Sequence, residues 1–142
     1  MTRVLLADGF VLTTEEKSTT DPKWMAVEFS QPVCMIGAEI VSIAGVVLAV
    51  VRNTGGDEEH PPESCILQVH GSNDLIHWDT IVGKTLPATP QPFAYPDIRV
   101  SYQFVRLRYH IAMSAATVST NLPSWTLTVE LETGLRGISA DA

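Results

Sequence analysis

Apolar and polar residues alternate with a period of two along several stretches of this chain. In "WTLTVEL" (125–131), Trp125, Leu127, Val129 and Leu131 fall on one face, and Thr126, Thr128 and Glu130 on the other. Successive side chains of a strand point to opposite sides, so this spacing predicts a strand with one buried and one wet face. "FVRLRYHI" (104–111) repeats the pattern, with Val105, Leu107, Tyr109 and Ile111 directed inward and Arg106, Arg108 and His110 outward. "CILQVHG" (65–71) places Cys65, Leu67 and Val69 on one face, and "WMAVEF" (24–29) and "HWDTIVG" (77–83) are further strand candidates. "MIGAEIVSIAGVVLAVV" (35–51) is almost continuously apolar. It is shorter than a comfortable membrane span and contains Glu39. Its β-branched residues predict one or two buried strands, bent or bulged near Gly45.

Between these runs lie segments with turn and loop chemistry. "RNTGGDEEHPPES" (52–64) is acidic and rich in glycine and proline, and "AMSAATVSTNLPS" (112–124) is small and polar. "GKTLPATPQPFAYPDI" (83–98) carries four prolines. Proline lacks the N–H that a ladder requires, so the expectation here is an irregular, polyproline-like crossing. The N-terminal segment holds two short apolar runs, Val4-Leu5-Leu6 and Phe10-Val11-Leu12, and is then polar until Trp24. Such runs are too short for a core and are expected to add to a sheet edge or to cross to a partner. Many short strands joined by long crossings predict an all-β fold, a single-domain jelly-roll β-sandwich with long loops and an N-terminal arm. The expected division is residues 1–23 as arm and first edge strands, 24–136 as the sandwich and 137–142 as a tail.

Composition narrows the function. The 142 residues suit one domain. With 45% hydrophobic and only 18% charged residues, the chain is apolar enough to imply surface buried against other subunits. The net charge of −7 argues against nucleic acid, whose binders gain affinity from basic patches; Arg106 and Arg108 form the one basic cluster. No membrane partner is expected. Cys34 and Cys65 lack metal-ligand spacing and read as two buried free thiols, with a disulfide between them as the alternative. The first residues carry too short an apolar run for a signal peptide, so synthesis in a reducing cytoplasm is expected.

Candidate chemistry is sparse. His60, His70, His77, His110, Asp74, Asp79 and the run Asp57-Glu58-Glu59 are the side chains that catalysis would draw on. No serine elbow, phosphate loop or HExxH motif accompanies them. "GSNDLIHWDTI" (71–81) is suited to a polar turn, since Asn73 and Asp74 can bond their own backbone. The following Trp78 is expected to bury its ring over the core. A transition-metal site at His70, Asp74 and His77 is the competing interpretation. No enzyme activity, cofactor or metal is expected. Leu5, Leu6 and Phe10 of the arm and Phe93 and Tyr95 of the proline-rich segment are the candidate apolar anchors of an interface. Arg106 and Arg108 are its candidate charged contacts.

Two resemblances attach to these residues. "VHGSNDLIHW" and "YQFVRLRYHI" are similar to a turn and a following strand of discoidin-type, galactose-binding-like β-sandwiches, although the cysteines are not placed near the domain ends as in that family. "FVRLRY…LTVELETGL", together with the N-terminal arm and apolar middle, resembles bacteriophage capsid cement or decoration proteins. The second resemblance implies a non-enzymatic structural subunit, a homotrimer bound to a major capsid protein on the capsid exterior of the virion and made in the host cytoplasm. The first implies an alternative, a carbohydrate-binding module of a phage tail or bacterial surface assembly, with a glycan as partner.

Overall fold

The computed structural model describes residues 2–13, 15–16, 24–51, 53–55, 58–60, 64–87, 89–113 and 124–135. The segment 114–123, the tail 137–142 and most of 14–23 lie outside the described residues. The strands are β1 (Thr2–Thr13), β2 (Glu15–Glu16), β3 (Trp24–Phe29), β4 (Val33–Cys34), β5 (Ile40–Val51) and β6 (Asn53–Gly55). They continue as β7 (Glu58–His60), β8 (Ser64–Ser72), β9 (Asp79–Thr85), β10 (Gln91–Arg99), β11 (Phe104–Met113) and β12 (Ser124–Gly134). Among the described residues no helix is long and apolar enough to cross a membrane.

One sheet has the order β1-β12-β5-β10, and the other the order β2-β3-β11-β8-β9, with β4 continuing the β3 side of β11. All pairs are antiparallel. The pairing is nested: β1 joins β12, β3 joins β11, β5 joins β10 and β8 joins β9. A long hairpin whose strands pair from the outside inward, rolled into two facing sheets, is a jelly roll. The acidic glycine-rich segment forms a separate small hairpin, β6–β7, with Thr54 opposite Glu59.

The period-two runs supply the core. Trp125, Leu127, Val129 and Leu131 of β12 face Leu67, Val69, Val105, Leu107, Tyr109 and Ile111 of the other sheet, all of them at most 2% exposed. Residues 40–51 form one strand, β5, of which Val41, Ile43 and Val47 are buried. Its bulge lies at Leu48, the extra residue between Ala49 and Val47 opposite Thr126 and Leu127 of β12, three residues from Gly45. Gly45 has a different role. A Cβ there would strike the Thr128 carbonyl oxygen and lie 2.6 Å from the Phe93 ring, so only glycine lets that ring cross the strand.

The short apolar runs of the N-terminal segment add to a sheet edge: β1 is an edge strand of its own sandwich, hydrogen-bonded along β12 with Leu12 buried. The proline-rich segment departs from the expected irregular crossing and is in large part strand. β10 carries Pro92 and Pro96, and it tolerates them because it is an edge strand that pairs with β5 alone in the sheet order. Pro96 falls where the register shifts between Tyr95 and Ile98. Asp97 takes a left-handed φ of 57° there, and its N–H donates to Ser42 Oγ at 3.1 Å. Both cysteines are free, but only Cys65 is buried, and burial pushes its thiol up to about 11. Cys34 is exposed because it alternates with the inward Val33 on β4.

Candidate functional site

The turn after β8 is closed by its own side chains. Ser72, 1% exposed, accepts hydrogen bonds at Oγ from the N–H groups of Asp74 and Leu75 and donates to Asp74 Oδ1. Asp74 Oδ1 also accepts from the N–H groups of Ile76 and His77, each at 2.8 Å. Its other oxygen lies 2.6 Å from His77 Nδ1. Asn73 Oδ1 accepts from the N–H of Gln103 and so ties the turn to the loop before β11. Gly71 sits beneath the Tyr102 ring, where a Cβ would not fit. Each polar group of the motif thus holds backbone or its neighbour. Of the three residues suggested for a metal, Asp74 and His77 meet, while His70 belongs to the sheet face. Among the described residues, no three His, Cys, Asp or Glu side chains gather as a metal site would require.

Trp78 does not lie over the core. It stands on the outer face of the six-stranded sheet, half-buried, with the Arg106 guanidinium 4.2 Å from its ring centre. The same guanidinium lies 4.1 Å from the Phe29 ring centre. Arg106 therefore makes cation–π contacts with two aromatic rings, a favourable arrangement for a planar cation. Burial pushes its pKa down. Register places His70 opposite Arg106 and Gln68 opposite Arg108. Gln68 Oε1 lies 3.1 Å from His70 Nε2 and accepts from Arg108 Nη1 at 3.3 Å. Burial, and then the two arginine charges, hold His70 below its ordinary pKa; burial and Arg108 do the same for His110. Both rings are thereby biased towards the neutral form. The Nδ1 of His70, the Nε of Arg106 and the Nε2 of His110 are buried without a hydrogen-bond partner. Among the described residues neither Arg106 nor Arg108 has an ion-pair partner.

A second surface opens where the two sheets part, between the edge strand β1 and the Phe29 end of β3, beyond the reach of β2. Leu5, Leu6, Phe10, Phe29, Ser30, Gln31 and Tyr109 line a groove of about 280 Å³. Leu5 is 51% exposed, Phe29 48% and Phe10 37%, and the neighbouring Val11 is 52% exposed. Phe10 lies 6.1 Å from Tyr109 across the gap. Three of the candidate interface residues, Leu5, Leu6 and Phe10, thus meet in one place. Phe93 and Tyr95 do not join them. They pack inward against the core from β10, 5.8 Å apart, and the Tyr95 hydroxyl donates to the Thr85 carbonyl at 2.8 Å. Their inward direction follows from register, since they pair with Gly45 and Ile43 of β5, whose odd-numbered positions 41, 43 and 47 face the core.

The sequence pointed to Arg106 and Arg108 as an outward pair but gave no sign of Phe29 as the second ring of the stack. Phe29 reaches Arg106 from another strand, so no local spacing links them. The outward parity of position 29 beside the inward Ala26 was the available clue.

The jelly-roll β-sandwich is thus the class that the strand order and core define. No protein-family model matches the chain, and no curated protein does. Solved structures with a similar course include the VP2 subviral particle of infectious bursal disease virus, with a TM-score of 0.48 and 12% identity over 92% of this chain and 31% of that one. The chain therefore spans about a third of the length of that viral protein. The carbohydrate-binding module CBM36, in complex with calcium and xylotriose, is similar with a TM-score of 0.39 and 7% identity over 93% of this chain and all (100%) of that one. The C-terminal domain of a chitobiase from Bacteroides fragilis has a TM-score of 0.35 and 9% identity over 92% of this chain and 94% of that one. These are likenesses of fold.

Proposed function

We propose that this protein is a non-enzymatic structural subunit that attaches to a viral capsid, a cement or decoration protein that associates with itself, as a trimer, on the capsid exterior. The observation that carries this reading is the apolar groove at the open edge of the sandwich. Leu5, Phe10 and Phe29 present large apolar surface to water beside the β1 sheet edge. Contiguous apolar surface of this kind is retained where a partner covers it. The chemistry elsewhere agrees with a non-catalytic role, because the Asp74–His77 pair is spent on closing a turn. Production in the host cytoplasm and docking on a major capsid protein belong to the same proposal.

A second reading is favoured by one feature, the aromatic rings of Phe29 and Trp78 beside arginine and histidine on an outer sheet face. Aromatic rings with a few convergent polar groups suit a sugar ligand. Each ring already has one face covered by Arg106, which is why this reading stands second. Mass in solution separates the two. A stable trimer that passes unretained through immobilised oligosaccharides supports the capsid subunit. A monomer that the same column retains supports the carbohydrate-binding module. In the first case Leu5→Lys, on an exposed position, is expected to lower the mass towards that of the monomer while the β-rich circular dichroism spectrum is kept.

A further inference from the structure

The two outer faces of the sandwich carry complementary charge in matching registers. On one face, Arg106 and Arg108 stand two residues apart on β11 with no acidic partner among the described residues. On the other, Glu130 and Glu132 stand two residues apart on β12, outward of the buried Val129 and Leu131. Both pairs are spaced by two strand residues, about 6.7 Å. One cation serves both carboxylates: Arg3 lies 3.0 Å from Glu132 and 3.9 Å from Glu130. These three side chains together carry one net negative charge, against the two positive charges of Arg106 and Arg108 on the other face. Each charged pair also has an exposed apolar neighbour, Phe29 beside Arg106 and Leu5 opposite Glu130 in register.

We propose that the outer face of β11 docks on the outer face of β12 of a second copy of this chain, with Arg106 and Arg108 pairing with Glu130 and Glu132. The proposal rests on the reading of the protein as a self-associating subunit and says which surfaces meet. Arg106 suits the role because its two ring neighbours hold it in place before contact, so little side-chain freedom is lost on pairing. It is already partly desolvated, so covering it removes less water than covering a free guanidinium would. Phe29 lines the apolar groove as well as stacking on Arg106, so the charged face and the groove form one continuous surface. The contact joins two different faces and is heterologous, so it closes into a ring where its rotation allows and otherwise runs on as an open stack.

The test is solution mass, by light scattering, of the full chain and of charge variants, with circular dichroism as the control for folding. Arg106→Glu with Arg108→Glu is expected to be monomeric, and so is Glu130→Lys with Glu132→Lys. Mixed in equal amounts, the two are expected to associate again, because each then offers the other a complementary face. Arg108→Glu alone, outside the ring stack, carries the test if the double variant fails to fold, and its association should be at least tenfold weaker. The parent's association should also weaken as salt is raised. An oligomeric parent whose mass none of these variants changes overturns the docking proposal and leaves the assembly reading standing. A monomeric parent overturns both. Retention of that monomer on immobilised polygalacturonate, lost in Arg108→Glu, would assign the basic face to a carboxylated glycan instead.

Discussion

Trp125 and Trp78 occupy opposite kinds of place in this sandwich. Trp125 is fully buried between the sheets, and its ring fills the core that β12 shares with β11 and β8. Trp78 is half-buried on an outer face, and its ring lies on a guanidinium. The first gains from leaving water; the second gains from a quadrupole facing a cation and from covering a charged side chain. An aromatic residue beside a strand therefore says that area is to be covered, but not by which kind of group. The inner region is held by volume and the outer one by a stack that leaves charge near the surface.

The sharpest way to break this contrast is to truncate both rings. Trp125→Ala is expected to cost about 3–5 kcal/mol, the range for removing a large aromatic from a core. Trp78→Ala should cost far less, about 1 kcal/mol, as befits a partly exposed cation–π contact. Urea unfolding of the two variants measures both, and equal losses would erase the distinction between the regions. Next in size is Gly45→Ala. The new methyl group meets a backbone carbonyl and the Phe93 ring, and overpacking of this kind costs about 1–3 kcal/mol. Combining it with Phe93→Ala should recover only part of the loss, because the Thr128 carbonyl remains in the way.

A double-mutant cycle sharpens the outer side of the comparison. Trp78→Ala and Arg106→Gln remove the two halves of one stack, so their costs should fall short of additivity by about 0.5–1 kcal/mol. Full additivity would mean that the ring and the cation are neighbours without coupling.

The smallest effect belongs to the turn beside Trp78. The hydrogen bond from His77, with its backbone N–H bonds, holds Asp74 below its ordinary 3.8, and Asp74 in turn holds His77 above its ordinary 6.5. The raised histidine contributes stability that is complete below 6.5 and is lost as pH rises through its folded pKa. The depressed carboxylate contributes stability that is present above 3.8 and is lost as pH falls through its folded pKa. The pair is thus strongest between those two ordinary values. Both groups are exposed, so solvent screens them and the effect is slight. His77→Ala should lower the melting temperature slightly at pH 5.5 and not at pH 9; an equal difference at both would show that the ion pair contributes nothing.

Much of the core was legible in the order of residues. The inward sets of β8, β11 and β12 follow from alternation, since a strand's period of two leaves only the choice of face, and the apolar face goes inward. The outward position of Arg106 and Arg108 came with them. Alternation failed where a strand's place in the sheet mattered more than its own pattern. Pro92 and Pro96 argue against a strand anywhere but at an edge, and whether 91–99 is an edge depends on its distant partner, β5. Leu5 and Phe10 look like part of an arm until β12, more than a hundred residues away, supplies the ladder that makes β1 a strand.

The sequence by itself therefore determined which stretches extend, which faces are apolar, and that Asp74 turns the chain by bonding nearby backbone, because each of these depends on neighbours within a few residues; Asn73, read the same way, instead bonds the distant Gln103. The tertiary structure alone decided the nested pairing, the inward direction of Phe93 and Tyr95, the ring from β3 that completes the stack on Arg106, and the groove where β1 meets β3. Each of these joins residues distant in the chain, and pairing between sheets depends on which edges remain free after the others have closed.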